Sequence, residues 1–140
     1  MDLQNLAYAL TQVVHNLGAV SVVGAATVAV AGGLKARAPR DPDRRLGWVA
    51  LVGWALQGAS GAAFGAISHL YFGRFPDIHG IAIAALLLKM GCAATGFSLS
   101  AVLLARGSGW SDAARRRSWR ILLALALTAL TAAAFLRWFS

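Results

Sequence analysis

Four long runs of apolar residues dominate the pattern of hydrophobic and polar positions along the chain. They cover approximately residues 5–34, 46–73, 78–105 and 119–138. A helix needs about 20 predominantly apolar residues to cross a bilayer, and the first three runs reach that length. The apolar part of the fourth, Ile121–Leu136, is short for a crossing, but Trp138 and Phe139 can extend it while Arg137 snorkels outward. The pattern therefore predicts an all-α fold, in which one domain of 140 residues forms an integral membrane bundle of four transmembrane helices with up-down connections.

Polar or proline-containing segments separate the four runs. Residues 35–45 contain two prolines and charges of both signs, which predicts a tight, solvated turn. Pro76 breaks the helix in the short connection 74–77. Residues 106–120 form a basic loop, in which we expect Ser111 either to cap a short helix or to start the last span early.

Composition supports a membrane protein and argues against a nucleic-acid-binding one. The chain is 59% hydrophobic and 13% charged, whereas soluble domains carry about 25% charged residues. Its net charge of +8 could suggest a nucleic-acid partner. We exclude that class because the basic residues lie in the loops between apolar runs, where the topology of membrane proteins requires them.

The distribution of basic residues also predicts the orientation. Only Arg74 and Arg137 lie on the side that carries both termini. Because cytoplasmic loops are enriched in Lys and Arg, we expect both termini outside, in a membrane of the bacterial inner (cytoplasmic) type. The two loops that are expected in the cytoplasm contain Lys35, Arg37, Arg40, Arg44 and Arg45, and Arg106, Arg115, Arg116, Arg117 and Arg120.

Tryptophans lie near the ends of several spans. Trp48, Trp110, Trp119 and Trp138 are expected to be interfacial anchors, since indole rings favour the headgroup region. Trp54 lies deeper in the second span, and we expect it to pack inside the bundle.

The residue inventory excludes several kinds of site. The single cysteine, Cys92, allows neither an internal disulfide nor a CxxC metal knuckle. Glutamate is absent, and the five aspartates lie at a terminus or in loops, which excludes catalysis by paired carboxylates within the membrane. They are Asp2, Asp41, Asp43, Asp77 and Asp112.

Lys89 is the one charged residue in the interior of the long apolar runs, since Arg120 and Arg137 lie at the two ends of the fourth. A lysine at the centre of a helix costs about 2.5–3.5 kcal/mol on insertion scales, so such a residue indicates a functional position. The chain provides no carboxylate at its depth. The partners that remain open are a haem propionate, a quinone oxygen, a backbone carbonyl, an acid of another subunit, or deprotonation of the lysine itself.

The three histidines, His15, His69 and His79, are all predicted on the side of the termini. We expect His15 and His69, at similar depth, to be axial ligands of a b-type haem held in the bundle core. The alternative is that each forms a hydrogen bond between helices. His79 is shallower and could instead donate to a propionate or bind an external metal.

Helical spacing predicts that each polar residue shares an inward face with small residues. The three predicted faces are Gln12, His15, Gly18 or Ala19, and Val22; Gly58, Gly61, Gly65 and His69; and Ala85, Lys89, Cys92, Gly96 and Ser100.

Met90 and Cys92 next to Lys89 are soft ligands that suit Cu(I), and together with His69 and His79 they outline an alternative copper route. A lone methionine and a lone cysteine in an apolar helix are more often packing residues.

Three segments resemble the CopD-like (copper resistance D) domain: 80–106 with LLLK at 86–89, RRRSW and the apolar run over 115–134, and HNLGAVSVVGA at 15–25. The resemblance implies a four-helix membrane protein associated with copper uptake across the inner membrane. The core is also similar to small b-type cytochrome membrane subunits, in which histidines of facing helices hold haem. In this resemblance Lys89 matches the family's lysine, and His15 matches its first-helix histidine.

Three functional hypotheses follow. The first is a haem b electron-transfer subunit of a larger respiratory or redox complex, which exchanges electrons with a quinone or a periplasmic carrier and is not a stand-alone enzyme. In this first hypothesis the positive charge of Lys89 balances the negative charge of a cofactor or of a quinone anion. The second is copper transport, and the third is a cofactor-free accessory subunit that packs against other membrane subunits. Lipid is a partner in all three.

Overall fold

A computed structural model describes residues 3–32 and 41–139, with side chains from Arg44 onward in the second segment. The basic residues Lys35, Arg37 and Arg40 of the first predicted loop lie outside the described residues. The four α-helices of the described part are α1 (Leu3–Gly32), α2 (Asp41–Phe72), α3 (Ile81–Arg106) and α4 (Asp112–Phe139). The predicted all-α, four-helix fold is confirmed.

The helices form a ring in which each one packs against two neighbours. The most extensive contacts join α1 to α2 and α3 to α4, while α2 also packs on α3 and α1 on α4. Helices α1 and α3 are therefore diagonally opposite. All four are long and apolar enough to cross a bilayer, which indicates a multi-pass membrane protein.

Helices α1 and α2 run antiparallel and approach closely at two glycines. A Cβ atom on Gly18 would lie 3.0 Å from the carbonyl oxygen of Gly53, and one on Gly53 would lie 2.8 Å from Cγ1 of Val22. Small residues allow the backbones of membrane helices to approach in this way. The contact fixes the depth of α1 relative to α2, and with it the position of His15.

The connection between α2 and α3 depends on two glycines with positive φ. Gly73 (φ 67°) ends α2, and its N–H donates to the carbonyl oxygen of His69 at 2.9 Å. Gly80 (φ 52°) precedes the first residue of α3, Ile81. The positive φ of Gly80 lies outside the helical range, and residues with side chains rarely adopt it. The helix therefore begins after Gly80, three residues later than the apolar run.

The remaining helix starts come earlier in the chain than the predicted spans. Helix α2 begins at Asp41, so part of the predicted turn is helical, and Pro42 is tolerated because it lies in the first turn. Helix α4 begins at Asp112 after a short 3-10 turn. The Ser111 hydroxyl accepts a hydrogen bond from the Ala114 N–H at 3.2 Å, as an N-cap residue does.

We call the end of the bundle where α1 begins and α4 ends the termini end, and the opposite end the basic end. A cluster of buried apolar residues fills the basic end: Ala25, Ala26, Ala50, Leu103, Trp119 and Leu122. Trp119 is only 3% exposed, so its predicted role as an interfacial anchor is wrong. Because α4 starts at Asp112, Trp119 falls on its inward face.

A second apolar cluster fills the middle of the bundle. Trp54 lies in it at 2% exposure, which confirms the prediction that this ring packs inside. The ring lies on the backbone of α3 at Gly96, where an added Cβ atom would overlap Cε2 of Trp54. Glycine is therefore required at position 96 for α2 and α3 to pack as they do.

Candidate functional site

A chain of hydrogen bonds between three helices is the main polar feature inside the described part of the bundle. Lys89 Nζ lies 2.9 Å from Nε2 of His15, and Nδ1 of His15 lies 2.7 Å from Oγ of Ser60. The Ser60 hydroxyl in turn is 2.5 Å from the carbonyl oxygen of Leu56. We call Lys89, His15 and Ser60 the polar chain.

The Leu56 carbonyl, which accepts a hydrogen bond from Ser60, determines which atom is the donor in each of these hydrogen bonds. The Leu56 carbonyl can only accept, so the Ser60 hydroxyl donates to it and is left as an acceptor. His15 then donates through Nδ1–H, which leaves Nε2 as an acceptor for an N–H of Lys89. The polar chain thus assigns the Nδ1–H tautomer to a neutral His15 and makes Lys89 its terminal donor.

Gln57 holds the backbone of α1 at His15 through a hydrogen bond. Its side-chain amide donates to the carbonyl oxygen of His15, and both residues are 9% exposed. Gln57 and Ser60 are three residues apart, so they lie on the same face of α2. Phe64 continues that face and contacts the edge of the imidazole, with ring centroids 5.7 Å apart. These residues hold His15 in one orientation.

Lys89 crosses the bundle along its diagonal, from α3 to α1. Its side chain is half-buried, and among the described residues no carboxylate forms an ion pair with it. An ammonium group has three N–H donors, and His15 accepts one of them. Lys89 therefore retains donor capacity for a ligand that brings an acceptor oxygen.

The predicted inward faces differ in outcome. On α1, His15, Gly18 and Val22 are buried, and on α3 Cys92 and Gly96 are buried, as expected. The expectation is wrong for Gln12, which is exposed one turn before His15. The expectation is wrong for α2. Its residues Gly58, Gly61 and His69 are exposed, because α2 turns Gln57 and Ser60 to the interior instead.

His69 lies apart from the polar chain. Its ring is exposed and stacks on Phe75, with centroids 5.1 Å apart. It follows Ser60 by nine residues, which at 1.5 Å per residue places it about 13 Å further along the helix axis. The expectation that His15 and His69 share one depth does not hold, because Ser60 is the residue of α2 that is level with His15.

This geometry does not fit a haem between His15 and His69. Both nitrogens of His15 already have partners, Ser60 and Lys89, and an iron ligand needs one nitrogen free. His69 faces away from the interior. The axial assignment stays a prediction.

The residues of the copper hypothesis are also distributed over different surfaces. His79 is exposed beside Asp77, with Nε2 3.2 Å from Oδ1. Met90 is 59% exposed on the outside of α3, whereas Cys92 is buried in the middle apolar cluster. The described residues contain no group of three His, Cys, Asp or Glu side chains that could hold a metal ion. Copper binding stays a prediction.

Ser60 and Gln57 are the site residues that the sequence reasoning missed. Both are polar residues in an apolar run, at a spacing that puts them on one helix face. That signal was present, but the glycines that alternate with them suggested the opposite face of α2 as the interior. Phe64 could not have been assigned without the helix pairing.

Comparison of the chain with family models, with curated proteins and with solved structures finds no match. The CopD-like resemblance and the roles it implies for Lys89 and His15 therefore stay predictions. The geometry of the polar chain is therefore the main structural indication of function.

Proposed function

We propose that the chain is a membrane-embedded redox subunit in which Lys89, oriented by its hydrogen bond to His15, binds the carbonyl oxygen of a lipid-soluble quinone. The observation that carries the proposal is the hydrogen bond of 2.9 Å between Lys89 Nζ and His15 Nε2, inside a bundle whose described residues offer Lys89 no acid. A quinone carbonyl is an acceptor that needs such a donor. Its oxygen becomes negative on reduction, and a cation in a low-dielectric site stabilises that charge strongly.

The surface next to Lys89 suits an apolar molecule. A groove of about 450 Å³ lies between α3 and α4, and its polar lining residues are Thr128 and Thr131. Ala85 and Leu88 also line this groove. Ala85 lies one turn before Lys89 on α3, and Leu88 directly precedes Lys89. A quinone ring and tail in this groove would be accessible from the lipid. Lys89 does not itself line the groove, so the quinone oxygen would reach the ammonium past Ala85.

The proposed orientation has both termini outside and the basic end at the cytoplasm of a bacterial-type inner membrane. Arg106, Arg116, Arg117 and Arg120 lie at the basic end among the described residues. Arginine at that density is typical of a cytoplasmic surface. The electrons come from a partner subunit in this proposal, so the chain would act within a larger complex.

The test is quinone binding by the purified protein in nanodiscs of neutral lipid. Decyl-ubiquinone is titrated while quenching of tryptophan fluorescence is followed, since Trp54 lies in the middle of the bundle. A hydrogen bond from a charged donor is worth about 1.5–3 kcal/mol. We therefore expect Lys89→Met to raise the Kd about 10-fold to 100-fold.

The matched control is Met90→Leu, which changes the adjacent residue on the exposed surface of α3 and should leave the Kd unchanged. A folded Lys89→Met protein that binds decyl-ubiquinone as tightly as the wild type would refute the proposal.

The visible difference spectrum and metal content of the same sample test the remaining hypotheses. A b-type signal that disappears in His15→Ala would favour the haem prediction, and bound copper that disappears in Cys92→Ser would favour the copper route. Co-purification with other membrane subunits without quinone, haem or copper would favour the accessory subunit.

A further inference from the structure

A second cavity opens at the termini end of the bundle, between the polar chain and the surface. Its volume is about 540 Å³, which lies in the range of small-molecule sites. Residues from α1, α2, α4 and the connection between α2 and α3 contribute to it: Tyr8, Ala9, Gln12, Phe64, Pro76 and Arg137.

One wall of this cavity is aromatic. The rings of Tyr8 and Phe64 are nearly parallel, at 17°, with centroids 6.2 Å apart. Phe64 also contacts the edge of His15, so its ring separates the cavity from the polar chain. Together with Pro76, these rings offer a flat apolar surface to a ligand.

The other wall carries a cation, Arg137. Arg137 is exposed and forms no ion pair with any described residue. Asp77, the acid in the connection between α2 and α3, is paired with His79 instead. Gln12 adds a polar group: its amide donates one N–H to Asn16 at 2.7 Å, which leaves its second N–H and its oxygen for a ligand.

We propose that this cavity binds an organic carboxylate with an apolar body. The Arg137 guanidinium holds the carboxylate through two parallel N–H donors, a geometry that matches a carboxylate closely. The apolar body lies against Tyr8, Phe64 and Pro76. The site is additional to the quinone site, because its charged contact is Arg137 and not Lys89.

Two sources of such a ligand are possible in a membrane protein. A fatty acid would enter from the lipid, and an aromatic acid would enter from water. Both have the same carboxylate, but they differ in the length of the apolar part. Dodecanoate and benzoate are therefore the two probes.

The experiment measures binding of each probe to the full chain in nanodiscs of phosphatidylcholine, by isothermal titration calorimetry. We expect Arg137→Gln to weaken binding at least 10-fold. The matched control is Arg106→Gln, which removes an exposed arginine from the last turn of α3 at the basic end and should leave binding unchanged. Ala9→Phe, which fills the cavity and retains Arg137, should also abolish binding.

The outcomes distinguish the two sources of the ligand, and they distinguish this cavity from the quinone site. Binding of dodecanoate alone supports a fatty acid, and binding of both probes supports an aromatic acid from water. Lys89→Met should not alter either titration, so failure of the quinone proposal would leave this one intact. The proposal is overturned if neither probe binds, or if Arg137→Gln and Arg106→Gln have the same effect.

Discussion

At the basic end of the bundle the large buried side chains are those of Trp119, Leu103 and Leu122, whereas toward the termini end His15 and Ser60 are buried among small residues such as Ala82, Ala85 and Ala132. The same four helices therefore enclose an apolar core at one end and a polar chain with an open cavity at the other. Polar side chains contribute less to the stability of a bundle than well-packed apolar ones. The difference indicates that the basic end stabilises the fold and that the termini end is available for binding.

Trp119→Ala should have the largest effect on stability. Removing a large buried aromatic side chain typically costs 3–5 kcal/mol, and we expect about 3 kcal/mol because lipid reduces the hydrophobic contribution. The indole N–H has no hydrogen-bond partner among the described residues, so the loss reports on packing. Unfolding of the detergent-solubilised protein by sodium dodecyl sulfate, followed by circular dichroism, measures it.

Trp138→Ala is the control for this substitution, since Trp138 is 84% exposed at the termini end. Equal losses of stability in the two variants would contradict the assignment of the stabilising core to the basic end.

Gly96→Ala should have the next largest effect, because the new Cβ atom would overlap the Trp54 ring. Overpacking of this kind costs about 1–3 kcal/mol. Gly91→Ala makes the same change on α3, where a Cβ atom meets nothing within 4 Å. There alanine should be neutral or slightly stabilising, since it favours the helix. The same unfolding measurement applies, and a Gly96→Ala protein as stable as Gly91→Ala would contradict the contact.

Lys89→Met should change stability least. An interhelical hydrogen bond in a membrane protein is worth about 0.6 kcal/mol on average, and methionine removes the cost of a buried ammonium. We expect the free energy of unfolding to stay within about 1 kcal/mol of the wild type, although quinone binding is weakened. A loss as large as that of Trp119→Ala would mean that the polar chain is a structural element and would remove the contrast between the two ends.

The hydrophobic pattern alone was sufficient for the number and type of the helices. Each run is long enough to cross a bilayer, and backbone groups in lipid must be satisfied within the helix, so few alternatives exist. The burial of Trp54 and the location of Lys89 inside the bundle also followed from position along the chain. The ends of α2 and α3 were less predictable, because Gly73 and Gly80 act through local backbone geometry.

Tertiary structure decided which residues meet. His15 was expected to pair with His69, but the close contact of Gly18 and Gly53 sets the depth of α1, and this brings His15 level with Ser60. Lys89 reaches His15 only because α1 and α3 lie diagonally opposite each other, so that their inward side chains meet across the core. Periodicity gives the faces of one helix, but the choice between two opposite faces of α2 depends on how closely its neighbours approach. That approach is a property of pairs of helices, and it becomes visible only when the bundle is assembled.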